Sequence, residues 1–169
     1  MMAIKKNYVI INKNLFLLIV IILVSACEST PKEPGLCEWF NKSQEIRTKR
    51  IPAILIIQDV YKKYGSETLD YSNPAMVNDM VNAMKEYISY NDDFIREWNE
   101  LGSNQSGKTY WENELKAVDL FNAGFTKSIS GIENQDINSI SEGIKMYESA
   151  VEASNRAESE MIAIRQKCK

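Results

Sequence analysis

Past residue 37, apolar side chains return every three or four positions, the spacing that lines one face of an α-helix. The first such segment spans 37–64 and carries Trp39, Phe40, Ile46, Ile51, Ile54, Leu55, Val60, Tyr61 and Tyr64. Pro52 lies inside it. A proline has no N–H to give the preceding turn, so a kink or a break into two helices is expected there. Gly65 and Ser66 end the segment. A second helix starts where Asn73 can cap it and Pro74 can occupy its first position. Its stripe runs through Val77, Met80, Val81, Met84, Tyr87, Ile88, Phe94, Ile95, Trp98 and Leu101, interrupted by the polar Asn91, and Gly102 closes it.

After a polar turn over 102–108, Thr109 and Glu112 have the spacing of a capping box. The third helix then places Trp111, Leu115, Val118, Phe121, Phe125 and Ile129 on one face, with Gly131 and residues 133–135 forming the next turn. Asp136 is positioned to cap a fourth helix with the seam Ile137, Ile140, Ile144, Tyr147, Val151, Ser154, Ala157, Met161, Ile164 and Cys168. Ser154 and Ala157 thin that seam, so helices either approach closely or pack loosely there. Short connections between long amphipathic helices make neighbours antiparallel. The expectation is an all-α, up-down-up-down four-helix bundle, with helices of roughly 23 to 32 residues and a length of about 40 Å. There is no β pattern of useful length, and no fixed-period repeat that would suggest a solenoid.

Ahead of the bundle the pattern changes. Lys5, Lys6 and Lys13 precede an apolar run over 15–24, and no acidic residue occurs before Glu28. This is the layout of a secretory signal peptide. Ten strongly apolar residues fall short of the roughly 20 that span a bilayer. Val24-Ser25-Ala26-Cys27, after Leu23, resembles the lipobox of bacterial lipoproteins. The resemblance implies diacylglyceryl (palmitate-type) lipidation of the Cys27 sulfur and cleavage just before it. Cleavage after Ala26 by the ordinary signal peptidase and an uncleaved anchor are the competing readings. On the lipoprotein reading, residues 1–26 are the signal peptide and 27–36 are the lipidated cysteine and a flexible tether, with 37–169 forming the helical domain. In that class of two-membrane bacteria an aspartate after the cysteine signals inner-membrane retention. Glu28 therefore points to the outer membrane if the host has two.

The chain has three cysteines. With Cys27 acylated, Cys37 and Cys168 remain, in a compartment that permits disulfides. The start of the first helix and the end of the fourth share one end of an up-down-up-down bundle, so an intramolecular Cys37–Cys168 bond is expected. Two buried free thiols and an intermolecular bridge are the alternatives.

Charge and composition then narrow the function. Taking the three leader lysines from the chain's 20 basic residues leaves 17 against 23 acidic ones, a net charge of −6. That balance argues against nucleic acid as a partner. The densest basic run, Arg47-Thr48-Lys49-Arg50, reads as a solvated face. So does the acidic group Asp92, Asp93, Glu97 and Glu100. The sequence contains no histidine, which removes Ser-His-Asp and Cys-His catalysis and histidine-ligated metal. No catalytic residues and no cofactor are assigned. Met76, Met80 and Met84 recur every four residues; such thioethers can hold Cu(I), but a methionine stripe on an apolar face is ordinary core filler. The tyrosines, with Tyr71 and Tyr90 off the main seams, suit the core boundary or a protein-binding patch. Together these features suggest a lipid-anchored cell-envelope module that binds a protein partner or plays a structural role, and is not an enzyme. The alternative is an envelope lipoprotein that binds a small ligand or metal between its helices.

Overall fold

Pro52 divides the first helical arm. The structure, a computed structural model, describes residues 35–65 and 69–169; the signal-peptide segment, Cys27 and residues 28–34 of the tether lie outside the described residues. Helix α1 (Leu36–Thr48) stops where Pro52 has no N–H to donate to the Thr48 carbonyl, and α2 (Ile51–Tyr64) resumes with that proline in its first turn. Between them the backbone bonds tighten to three-residue spacing: Lys49 N–H donates to Ile46 O, and Arg50 N–H to Arg47 O. Helices α3 (Pro74–Leu101), α4 (Lys108–Glu133) and α5 (Ile137–Lys167) complete the bundle. Every regular element among the described residues is an α-helix, and the four arms run up-down-up-down.

Several terminators act as their sequence suggests. The Asn73 side chain accepts the Met76 N–H, and Asp136 accepts the Asn138 N–H. Gly65 ends α2 in the left-handed region at φ 60°, which glycine adopts without steric cost. The Thr109 capping box does not form. The cap position falls two residues earlier, at Gly107, which makes no side-chain cap bond, and α4 begins at Lys108. The Trp39 ring lies against that glycine, where any Cβ would collide with it. Gly131, expected in a turn, is inside α4, and Leu36, read as tether, is the fully buried first residue of α1.

Helices α4 and α5 form the most intimate pair. A Cβ built on Gly124 would lie 2.8 Å from the Gly143 carbonyl oxygen, so the two backbones approach as only glycine allows. Gly143 lies against α4, and the buried side of α5 keeps Ile140, Ala157, Met161 and Ile164 of the expected seam, adds Ala150 and Ala153, and leaves Ile137 71% exposed. On α4 the inward face carries Tyr110, Glu114 and Ala117, not the half-buried Trp111 and Leu115.

The core has two apolar clusters. One gathers Ala53, Ile57, Val60, Met76, Met80, Tyr87, Phe121 and Phe125; the other gathers Leu36, Trp39, Phe40, Phe94, Trp98, Tyr110, Met161 and Ile164. Arg50, Asn91 and Glu114 sit at the level where one cluster gives way to the other, and all three are buried. At the second cluster's end, Cys37 and Cys168 are joined in a disulfide with their Cα atoms 5.3 Å apart. This is the intramolecular pairing that the helix directions suggest.

Candidate binding cleft

The break at Pro52 decides how the first arm meets the rest. Helix α1 contacts both α3 and α5, whereas α2 packs chiefly on α3. As α2 leans away from α5, a cleft of about 190 Å³ opens between the α1–α2 junction and the α4–α5 pair. Its apolar walls come from Ile54, Tyr87, Phe121, Phe125, Tyr147 and Val151. Tyr87 meets Phe125 edge-on with ring centres 4.9 Å apart, and Phe121 meets Tyr147 at 5.2 Å. Ser154 and Asn155 on α5 and Gln44 on α1 add polar groups. The thin position at Ser154, which allowed either close approach or loose packing, borders this opening. Phe125 and Tyr147 also line a second, apolar cavity of about 60 Å³, with Met80, Met84 and Ile140 beyond them.

The polar end of the cleft is a buried charge cluster. Glu114, 2% exposed, lies with Oε1 2.9 Å from Arg47 Nε and Oε2 3.5 Å from Arg50 Nη1. The Arg47 approach to Oε1 is an ion pair without an aimed hydrogen bond, and that buried oxygen receives none from any other group. Arg47 Nη2 donates to Glu158 at 2.9 Å. Arg50 Nε donates to Asn91 Oδ1 at 3.1 Å, and the Arg50 guanidinium carbon stands 4.6 Å from the centre of the Phe94 ring. Asn91, fully buried, passes the network outward: its amide donates to Asn122 Oδ1 at 2.7 Å, and Asn122 donates to Asp92 at 3.3 Å. The basic run of α1 is therefore not a solvated face. Lys49 points outward to Glu97, while Arg47 and Arg50, three residues apart across the break, turn inward.

Electrostatics follow from this placement. Burial works against the Arg47 charge, but Glu114, Tyr110 and Glu158 together outweigh it and hold the guanidinium pKa above its ordinary value. Burial, reinforced by the Glu114 charge, raises the Tyr110 phenol well above 10, and burial likewise raises Tyr147. Tyr61, on the wall of the smaller cavity, is pushed up to about 12 by burial and then by Tyr71. These phenols keep their protons at neutral pH and serve as hydrogen-bonding groups. Two arginines against Glu114 and Glu158 leave the cluster formally neutral.

Of the other positions singled out in the sequence, Met76 and Met80 are each 1% exposed and packed in the core, and Met84 is half-buried beside the small cavity. Among the described residues no three histidine, cysteine, aspartate or glutamate side chains converge as metal ligands. Tyr71 is 53% exposed, while Tyr90 packs against the core. The acidic residues of α3 go separate ways, Asp93 to Arg96 at 2.8 Å and Glu97 to Lys49.

Glu114 is not among the positions that the expected seams and charged faces single out. Its signal lay in the series Tyr110, Glu114, Ala117, Val118, Phe121, an unbroken helical stripe with one charge inside it. A charge in such a stripe asks for a buried counter-charge, and Arg47 and Arg50 supply it. Compared with known proteins, the chain matches no family model, no curated protein and no solved structure.

Proposed function

We propose that this chain is a lipid-anchored helical bundle of the cell envelope that works by binding a protein partner there, and not by catalysis. The observation that carries the reading is the Cys37–Cys168 disulfide. It suits an oxidising compartment and uses two of the three cysteines, which leaves Cys27, at the end of the lipobox-like stretch, for acylation. The bond also lies beside the point where the tether enters the domain, so a membrane anchor would hold the bundle by a covalently closed end. Glu28, where an aspartate would favour inner-membrane retention, supports an outer-membrane anchor if the host has two membranes. Cys27→Ser tests the anchor: the variant is expected to incorporate no labelled fatty acid and to accumulate as precursor, and normal maturation with labelling would overturn it. Crosslinking in intact cells followed by purification from detergent extract tests the partner; turnover of an envelope substrate with no crosslinked protein would overturn the binding role.

The cleft supports a second reading, a lipoprotein that holds a small ligand between its helices. Its combination of aromatic walls and a few convergent polar groups is the usual make-up of a ligand site.

A further inference from the structure

We infer that the cleft takes a small uncharged molecule made of a single ring carrying a hydrogen-bond donor, a hydroxyl or amide N–H, which the Glu114 carboxylate receives. This rests on the second reading above and is independent of the anchor. Size sets the first limit: a cavity of about 150 Å³ lined by apolar side chains accommodates benzene, and this cleft offers about 190 Å³. The lining sets the second. Tyr87, Phe121, Phe125 and Tyr147 surround the space with ring edges and faces, the geometry in which another ring packs well.

The polar end sets the third. A carboxylate offers about four lone-pair sites, and Glu114 Oε1, on a side chain 98% buried, receives no aimed hydrogen bond. The two guanidinium groups are already paired with Glu114 and Glu158, and Arg50 also donates to Asn91 and the Tyr87 hydroxyl. Within the charge cluster, the group still short of a donor is this carboxylate oxygen, Glu114 Oε1. With the cluster formally neutral, a charged ligand would add an uncompensated charge to a buried site.

Equilibrium dialysis of the full-length chain, purified in detergent, against phenol, toluene and benzoate at pH 7 tests this at fixed free probe concentration. Phenol is expected to bind saturably, one per chain, and at least about tenfold more tightly than toluene or benzoate, because a hydrogen bond to a charged acceptor discriminates by that order. Equal binding of phenol and toluene, or no saturable phenol binding, would overturn the inference. Saturable benzoate binding without phenol binding would overturn the ligand class while leaving the cleft a ligand site. Ser154→Leu, which fills the cleft without touching the charges, is expected to abolish phenol binding with an unchanged helical spectrum; parent-like binding by that variant would overturn the location. Glu114→Gln is expected to bring phenol affinity down towards that of toluene, and a folded variant with the full preference would overturn the donor's assignment. If Glu114→Gln does not fold, the three probes and Ser154→Leu decide. Fatty-acid labelling at Cys27 reads the anchor separately, so the two failures are distinguishable.

Discussion

Trp98 and Trp111 exchange hydrogen bonds. The Trp98 indole N–H donates to the Trp111 carbonyl at 3.1 Å, and the Trp111 indole N–H donates to the Trp98 carbonyl at 3.0 Å. The pair thereby ties the last turn of α3 to the first turn of α4, where helix ends have backbone groups to satisfy. The Trp98 carbonyl also accepts the Gly102 N–H, so it keeps one partner if Trp111 is changed. Trp111→Phe should therefore cost about 1 kcal/mol, and Trp98→Phe, at a fully buried position, about 2 kcal/mol. Because each ring orients the carbonyl used by the other, the double variant should depart from additivity by about 0.5 kcal/mol or more in denaturant titrations.

Glu114 compensates two arginines at once. Glu114→Ala leaves Arg47 with Glu158 but removes the only carboxylate paired with Arg50 among the described residues. A loss of about 3–5 kcal/mol is expected from urea titration, the range for removing one partner of a buried pair. Replacing the whole set, Arg47→Met with Arg50→Leu and Glu114→Leu, should recover most of that loss, since no unpaired charge then remains.

Gly143→Ala sets two effects against each other. Alanine favours the helix by about 1 kcal/mol over glycine. Its Cβ, however, would lie 2.6 Å from the Gly124 carbonyl oxygen and collide with Ser128 Oγ, and overpacking of this kind costs about 1–3 kcal/mol. The backbone contact cannot be relieved by a side-chain rotation. The variant should be net destabilised, with a lower melting temperature.

Reduction of the Cys37–Cys168 bond should lower stability by about 2–5 kcal/mol, because 131 positions separate the two cysteines and the link restricts a long stretch of unfolded chain. The double serine variant should melt at the same temperature with and without reductant, at a value below the oxidised parent. A parent that migrates identically on reducing and non-reducing gels, with two alkylatable thiols, would contradict the pairing.

Asp136 carries a pH signature. Its hydrogen bonds, first from the Ser139 hydroxyl at 2.7 Å and then from the Asn138 N–H, hold its carboxyl below the ordinary 3.8. A depressed folded-state pKa contributes stability that is complete above the unfolded value and is lost as pH falls through the folded one. Asp136→Ala should therefore melt below the parent at neutral pH. The gap should close as pH drops below 3.8, in thermal melts followed by circular dichroism.

Much of the architecture could be read in the chain because it rests on local signals. Asn73-Pro74, Gly102, Asp136 and Pro52 each act within one or two turns, and helix directions alone bring Cys37 and Cys168 together. The faces were harder. On α4, Trp111 and Leu115 outweigh Tyr110 and Ala117 in apolar bulk, yet the inward face is chosen by how closely α5 can come, and that depends on Gly124, Gly143, Ala150 and Ala153. Small residues contribute little hydropathy and a great deal of proximity. The cleft was hidden for a related reason: Glu114 is explained only by Arg47 and Arg50, more than sixty positions away. Asn91 could be seen as an interruption in its stripe, but the partners that make it useful could not.

The disulfide has a mechanical consequence. Tension arriving along the residues before Cys37 meets the Cys37–Cys168 bond within the first turn of α1 and is shared at once with the end of α5. Helix α1 cannot be peeled away turn by turn from that end. The load passes instead into the α4–α5 pair, where Gly124 and Gly143 hold two backbones in contact and separation requires sliding one helix along the other. Pulled from the Cys37 end, the molecule resists in shear and not by unzipping.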